Sequence, residues 1–219
     1  YDVLRLPDGH AFRLKVRSLV GLLPLCASTM LEAEVGKNHP RFTALVELFK
    51  KRHPEVLAHV APDVEGFVGH AGRRLLSPLT RTKLQRVLGY LLDENEFLSP
   101  YGIRALSRHH REHPFVFHVA GQEHRVEYLP GDSDSGMFGG NSNWRGPIWM
   151  PVNALIIRGL LNLYGFYGDD LKVECPTGSG NRMTLFEVAK EISGRRSNIL
   201  LRDACGRRPG YGGQAKFQD

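Results

Sequence analysis

The chain has 219 residues, of which 42% are hydrophobic and 24% charged, an ordinary balance for a folded globular protein. Its longest apolar stretches, 19–30 and 152–163, are interrupted by polar residues, Gly or Pro and fall short of the roughly 20 residues of a spanning helix. Three cysteines lie far apart without a CxxC pair, which indicates neither a disulfide framework nor a zinc site. We therefore predict no membrane partner and expect a cytoplasmic protein.

The net charge of +6 makes nucleic-acid binding a rival function, because Lys and Arg can neutralise phosphates. The cations, however, occur mostly in pairs beside acids, as at 108–112 and 191–196. No basic stripe with interleaved aromatic residues is evident. This pattern is typical of solvated helix faces, so no nucleic-acid partner is predicted and a basic nucleic-acid-binding helical domain ranks as the third hypothesis.

Apolar spacing predicts a mainly helical chain. In chain order, the predicted helices carry Leu19, Leu23, Cys26 and Met30 with a kink at Pro24; Phe42, Leu45, Val46 and Phe49 after a cap at Asn38; Leu84, Val87, Leu88 and Leu91 after Thr80 or Thr82; Ile103 and Leu106 after Ser99-Pro100; the stretch 152–164; and Leu185, Val188 and Ile192. The stretch 152–164 is apolar nearly all round, which predicts burial between layers. Thr184 and Glu187 have the spacing of a capping box.

One β-hairpin is predicted among these helices. Apolar residues alternate with others over 115–119 and again at Val126 and Tyr128. Ala120 and Gly121 lie between the two runs and offer a two-residue turn.

The segment 140–153, Gly-Asn-Ser-Asn-Trp-Arg-Gly-Pro-Ile-Trp-Met-Pro-Val-Asn, has the composition of a sugar-binding loop. Trp144 and Trp149, the only two tryptophans, can stack on the C–H face of a sugar ring. Arg145 offers a fixed fork of donors for hydroxyl groups. Gly146 and Pro147 favour one defined loop shape. An alternative is that both indoles are core residues and Arg145 pairs with a buried carboxylate, and composition alone leaves both interpretations open.

Residues 144–149, Trp-Arg-Gly-Pro-Ile-Trp, followed by Pro-Val-Asn at 151–153, resemble a signature of glycoside hydrolase family 63, the processing α-glucosidases and their bacterial relatives. Five further segments are similar to bacterial members, in the same order and at similar spacing: 97–107, 167–170, 174–180, 184–189 and 216–218.

The resemblance implies a mainly α fold, a partial (α/α)6 toroid of the six-hairpin glycosidase type with one small β-hairpin. Because the similar proteins are much longer, it also implies that residues 1–219 are part of a single such domain, truncated at both ends. Family members invert the anomeric centre with two carboxyl groups roughly 6.5–9.5 Å apart. By resemblance these carboxyls lie before Tyr1 and after Asp219, so no catalytic residue is predicted here and the chain alone is expected to be inactive.

What the resemblance implies for this chain is a pocket wall that binds an α-glucoside or related short oligosaccharide. The predicted substrate-binding residues are Asn143, Trp144, Arg145, Gly146 and Trp149, with Gly140, Asn141 and Asn153 as companions and Tyr101 and Arg104 as secondary candidates. No cofactor or metal is predicted, and no oligomeric state. The alternative function is a non-catalytic helical module that binds carbohydrate or a partner protein.

Three weaker patterns suggest a metal, calcium or phosphate site, but no ligand is predicted for any of them. The histidines at 109, 110, 113, 118 and 124 lack the carboxylate or cysteine spacing that would complete a metal site. Residues 132–136 resemble the start of a calcium loop, but Asn143 stands where the bidentate glutamate would be needed. Gly178-Ser-Gly180 lacks the lysine of a phosphate-binding loop and is predicted to be a turn.

Overall fold

The computed structural model describes residues 1–57, 68–129, 147–212 and 214–217. It is a helical fold with small hairpins. The α-helices of this part of the chain are α1 (Val35–Asn38), α2 (Pro40–Arg52), α3 (Pro54–Leu57), α4 (Arg81–Leu91), α5 (Met150–Tyr167) and α6 (Leu185–Ser197). Single turns or short runs of 3-10 helix occur at Leu19–Cys26, His70–Gly72, Arg108–Arg111, Gly168–Asp170, Pro209–Tyr211 and Ala215–Phe217. The predicted mainly helical character is therefore confirmed, and the partial (α/α)6 toroid stays a prediction.

The strands of the described ranges pair as five two-stranded antiparallel hairpins or ribbons. They are β1 (Asp2–Arg5) with β2 (Ala11–Leu14), β3 (Thr29–Leu31) with β4 (Arg74–Leu76), β5 (Leu98–Ser99) with β6 (Gly102–Ile103), β7 (Phe115–Val119) with β8 (Gln122–Val126), and β9 (Lys172–Glu174) with β10 (Arg182–Thr184). The predicted hairpin corresponds to β7 and β8. Its turn residues Ala120 and Gly121 have φ values of 51° and 76°, the left-handed backbone that a tight primed hairpin turn requires.

The chain forms two compact units. The first unit comprises Tyr1–Leu22, Tyr90–Asn153 and Ile192–Asp219, and the second comprises Leu23–Gly89 and Ala154–Glu191. In the first unit, the buried apolar residues include Leu91, Leu98, Ile103, Leu106 and Val126. Removing each such side chain from water contributes about 1.5–3 kcal/mol, so the hairpins of this unit are stabilised mainly by packing.

The second unit has its own core. Its buried side chains come chiefly from one face each of α4, α5 and α6, and they include Leu84, Leu88, Ile156, Leu160 and Val188. Their spacing of three or four residues along each helix is the period of a helix with one buried face.

The start of α6 confirms the predicted capping box. The backbone N–H of Thr184 donates to Glu187 Oε2 at 2.7 Å, and the N–H of Glu187 donates to Thr184 Oγ1 at 3.2 Å. The two residues thus satisfy each other's free donors at the helix end. The predicted inward residues Leu185, Val188 and Ile192 are fully buried.

Helix α4 also agrees with its prediction. The Oγ1 atom of Thr80 accepts from the backbone N–H of Lys83 at 3.2 Å, so Thr80 caps the helix.

The predicted helix after Ser99-Pro100 is wrong, since this segment forms the β5–β6 hairpin. The hydroxyl of Ser99 donates to the carbonyl of Gly102 at 2.7 Å and accepts from the N–H of Tyr101 at 3.0 Å. Gly102 has a φ of 115°, outside helical geometry. The polar side chain that could have capped a helix closes a turn instead.

The helix predicted through Met30 ends earlier, at Cys26, and it is 3-10 with Pro24 inside it. Met30 lies on β3, where it pairs with Leu75 of β4.

Two helices bury less apolar surface than their sequences predict. No residue of α2 is buried, and Leu45 on its apolar face is 64% exposed. The predicted burial of 152–164 on all sides is wrong for α5 in the described part of the chain, because Leu155 is half exposed while Ile156 and Leu160 are buried. Within the described ranges, no helix combines the length and apolar character needed to cross a membrane.

Candidate functional site

The structure places only part of the predicted sugar-binding loop. Asn143, Trp144, Arg145 and Gly146, with the companions Gly140 and Asn141, lie outside the described residues. Trp149 is described, as are Asn153, Tyr101 and Arg104. The described part of the candidate site comprises residues 147–149, which we call the Trp149 segment, and its neighbours in the first unit.

The Trp149 segment is fastened to the chain around β6. The carbonyl oxygen of Pro147 accepts a hydrogen bond from the backbone N–H of Ala105 at 2.8 Å. The carbonyl oxygen of Trp149 accepts from the backbone N–H of Asn153 and from its side-chain Nδ2, each at 2.9 Å. Trp149 is partly buried. Its indole therefore projects from a backbone that is held by hydrogen bonds at two points, Pro147 and Trp149.

Asn153 completes this attachment from the first turn of α5. Its Oδ1 accepts from the N–H of Ile103 at 2.7 Å, and its Nδ2 donates to the carbonyl of Ile103 at 3.0 Å. The side chain is fully buried and both ends of its amide are engaged. Asn153 thus positions the Trp149 segment, a role different from the ligand contact predicted for it.

Gly102 lets these elements approach one another. A Cβ atom at this position would lie 2.8 Å from Oδ1 of Asn153 and 3.0 Å from Cγ of Arg196. The backbone also has a φ of 115°, which side-chain-bearing residues rarely adopt. Glycine is therefore required here both for space and for backbone conformation.

Arg104 is a structural residue rather than a free donor. Its Nη1 donates to the carbonyl oxygens of Leu98 and Glu94, the latter at 3.2 Å, and its Nε donates to the hydroxyl of Tyr128 at 3.3 Å. The guanidinium carbon also lies 5.9 Å from the centroid of the Tyr128 ring. With only 7% of its surface exposed, Arg104 ties the β5–β6 hairpin to the chain after β8.

Tyr101 has the exposure that a ligand contact needs. It stands in the turn between β5 and β6, and 37% of its surface is accessible. Of the two secondary candidates, the structure therefore keeps Tyr101 available to a ligand and commits Arg104 to the fold.

Two neighbouring arginines of α6 border the same hairpin, and sequence reasoning assigned neither to the site. Arg195 Nη1 donates to Glu94 Oε1 at 2.8 Å and to the carbonyl of Ser99 at 3.2 Å. Arg196 packs its stem against Gly102. The only sequence signal was a pair of cations in the last turn of a helix, where basic residues are common for reasons of the helix dipole alone.

A buried polar cluster lies in the same unit. The carboxylate of Glu96 pairs with Arg17 Nη1 and accepts from the hydroxyl of Ser107. His110 Nε2 accepts from the N–H of Arg17 at 2.8 Å, which leaves Nδ1 to donate to the carbonyl of His113 at 3.0 Å. Every member has a partner in the fold, so this cluster holds the structure together.

Burial lowers the pKa of His110 below its ordinary value of 6.5, because a charged imidazole would lose its hydration there. The pKa of the neighbouring His109 is also lowered, first by desolvation and then by the charge of Arg17. Neutral imidazoles are metal ligands, but among the described residues no group of three His, Cys, Asp or Glu side chains has the arrangement to hold a metal ion.

A cavity of about 320 Å³ lies beside Arg17 in the first unit. Its lining includes Tyr90 and Phe97, and the guanidinium carbon of Arg17 is 5.8 Å from the centroid of the Tyr90 ring. Like the predicted sugar-binding loop, this lining combines aromatic rings with an arginine. No sequence motif predicted the cavity.

Comparisons with known proteins bear on this geometry. Residues 71–179, just under half of the chain, match the model of the glycosyl hydrolase family 63 C-terminal domain, and this range contains Gly102, the Trp149 segment and Asn153. The uncharacterized protein YMR196W of Saccharomyces cerevisiae is 48% identical over 219 residues, which are 99% of this chain and 20% of the yeast protein. The chain thus spans about a fifth of the length of this relative. No solved structure matches the chain. The family-model match supports glycoside hydrolase family 63 as the family of this chain.

Proposed function

We propose that this chain forms the sugar-binding wall of a glycoside hydrolase that acts on α-glucosides or related short oligosaccharides. The observation that carries the proposal is the family 63 match over residues 71–179, which includes the tryptophan loop. In this proposal the indoles of Trp144 and Trp149 stack on sugar rings, and Arg145 holds a hydroxyl or orients a catalytic carboxylate. Asn143 hydrogen-bonds the sugar, and Gly146 allows the backbone to approach it.

The attachment of the Trp149 segment supports this role. A binding loop contributes more affinity when its conformation is fixed before the ligand arrives, because less conformational entropy is lost on binding. The bonds from Ala105 to Pro147 and from Asn153 to Trp149 fix the end of the loop nearest α5.

The catalytic pair is proposed to come from outside these 219 residues. Inverting hydrolysis needs one carboxylic acid for the leaving oxygen and one carboxylate for water. In the first unit, the carboxylates of Glu94 and Glu96 are engaged by Arg195 and by Arg17, respectively. Their engagement favours a structural role for both and agrees with a catalytic pair from elsewhere.

The finer features of the enzyme belong to the same proposal. They are the inverting outcome, a bacterial-type protein of the cytoplasm, and a single (α/α)6 domain of which residues 1–219 are one part.

The test uses the protein at the full length that its gene encodes. Incubation with a panel of α-linked glucose disaccharides, followed by proton NMR from the first minutes, measures both hydrolysis and the anomer released. An inverting α-glucosidase releases β-glucose first. Early release of α-glucose would contradict the inverting mechanism, and saccharide binding without hydrolysis would identify a carbohydrate-binding module instead.

A further inference from the structure

Arg196 lies beside the Trp149 segment, although it is far from it in the sequence. A Cβ atom at Gly102 would stand 3.0 Å from Cγ of Arg196 and 3.6 Å from Cγ2 of Ile148. The stem of Arg196 and the side chain of Ile148 thus both lie close to the same glycine. Ile148 is the residue before Trp149, so the arginine borders the loop that is proposed to bind sugar.

The two consecutive arginines of α6 differ in how their donors are used. The guanidinium of Arg195 has acceptors in Glu94 and Ser99. The Nε of Arg196 is buried and has no hydrogen-bond partner within residues 1–57, 68–129, 147–212 and 214–217. In this part of the chain it is the one buried side-chain nitrogen or oxygen in that condition.

A buried donor without an acceptor is unfavourable, because it has given up water and gained nothing in exchange. Folded proteins retain such groups rarely, and each one calls for a physical explanation, such as strain, a functional role, or a bound water or ion that supplies the acceptor. Arginine is also suited to paired acceptors, since its planar guanidinium directs neighbouring N–H groups in parallel.

We propose that Arg196 is a second arginine of the saccharide site, donating from its guanidinium to sugar oxygens next to the Trp149 segment. The inference rests on the proposed function and adds a residue to its binding wall. The chemistry favours a sugar because the Arg196 stem shares the neighbourhood of Gly102 with the apolar side chain of Ile148, and Ile148 precedes a residue that carries an indole. Such a mixed surface fits a ligand that has both C–H faces and hydroxyl groups.

The experiment compares Arg196→Met with Arg86→Met in the protein at its gene-encoded length. Arg86 is an exposed residue of α4 and serves as the matched control. Isothermal titration with maltotriose measures the Kd, and a thermal melt measures the Tm. Loss of a charged hydrogen bond to the sugar is expected to raise the Kd about tenfold or more for Arg196→Met, with no comparable change for Arg86→Met.

The Tm separates a binding role from a structural one. Methionine keeps most of the stem and removes the unpaired donor, so the Tm of Arg196→Met is expected to equal or exceed that of the wild type. An unchanged Kd for Arg196→Met would overturn the inference. A raised Kd accompanied by a clearly lowered Tm would also overturn it, because the weaker binding would then reflect damage to the fold. If the wild type binds neither maltotriose nor other α-glucosides, the proposed function fails first, and the inference fails with it.

Discussion

The side-chain amide of Asn153 binds both backbone polar groups of Ile103, accepting from its N–H at 2.7 Å and donating to its carbonyl at 3.0 Å. The two residues are 50 positions apart in the chain. Within the described residues, β6 pairs only with β5. The Asn153 amide therefore hydrogen-bonds the backbone of Ile103 as a neighbouring strand would. The same Nδ2 also bonds the carbonyl of Trp149, so one side chain connects the hairpin with the candidate site.

Replacement of Asn153 by leucine is expected to destabilise the fold by roughly 2–4 kcal/mol, because it leaves the buried N–H and carbonyl of Ile103 without partners. Urea unfolding followed by circular dichroism measures the loss. Asn198→Leu is the control at an exposed position after α6, with an expected change within about 0.5 kcal/mol. Equal effects of the two substitutions would show that the amide of Asn153 has no special role.

Gly102→Ala is expected to cost about 2 kcal/mol or more, because the residue has a φ of 115° and a Cβ would contact Asn153 and Arg196. Gly194, inside α6, has open space around its missing Cβ. Gly194→Ala should therefore stabilise the protein by about 0.5–1 kcal/mol, through higher helix propensity. Thermal melts of the two variants would contradict this account if both moved in the same direction.

Short-range features of the fold follow from sequence. In the capping box, Thr184 and Glu187 are three positions apart, and the Ala120-Gly121 turn connects two adjacent strands. The residues that stabilise each feature therefore lie within one short stretch of sequence, where the pattern is visible. Ser99-Pro100 is different, since a serine before proline suits both a helix start and a turn. The turn forms because Gly102 adopts a φ of 115° and its carbonyl accepts the hydrogen bond from the Ser99 hydroxyl.

Long-range features of the site do not follow from sequence. The bond between Asn153 and Ile103 joins distant segments, as does the contact of Arg196 with Gly102. Spacing within one helix cannot show which of Arg195 and Arg196 has an acceptor, because the acceptors lie on other elements. The loop composition predicts Trp149 as a sugar-binding residue, and that role stays a prediction. What the structure adds is the hydrogen bonding of the Pro147 and Trp149 carbonyls.

The buried imidazole of His110 is expected to make stability depend on pH. Burial lowers its pKa in the folded state below 6.5, so the unfolded chain takes up a proton first as the pH falls. The free energy of unfolding should therefore decrease as the pH drops from about 6.5 towards the folded-state pKa, with no contribution from this group above that window. Urea unfolding across this range should show a smaller slope with pH for His110→Asn than for the wild type. An identical slope would mean that folding does not lower the pKa of His110.

Arg145→Ala tests the sugar-binding interpretation against the alternative of a buried ion pair. If Arg145 holds a sugar hydroxyl or orients a catalytic carboxylate, turnover of an α-glucoside by the protein at gene-encoded length should fall roughly 100-fold or more, because misplaced reacting groups cost about that much. The Tm should change little, since a residue that serves the ligand contributes little to folding. Arg86→Ala, at an exposed position of α4, is the control and should retain both kinetics and Tm. Wild-type kinetics combined with a strongly lowered Tm in Arg145→Ala would show that the arginine pairs with a buried carboxylate, and the tryptophans around it would then be core residues.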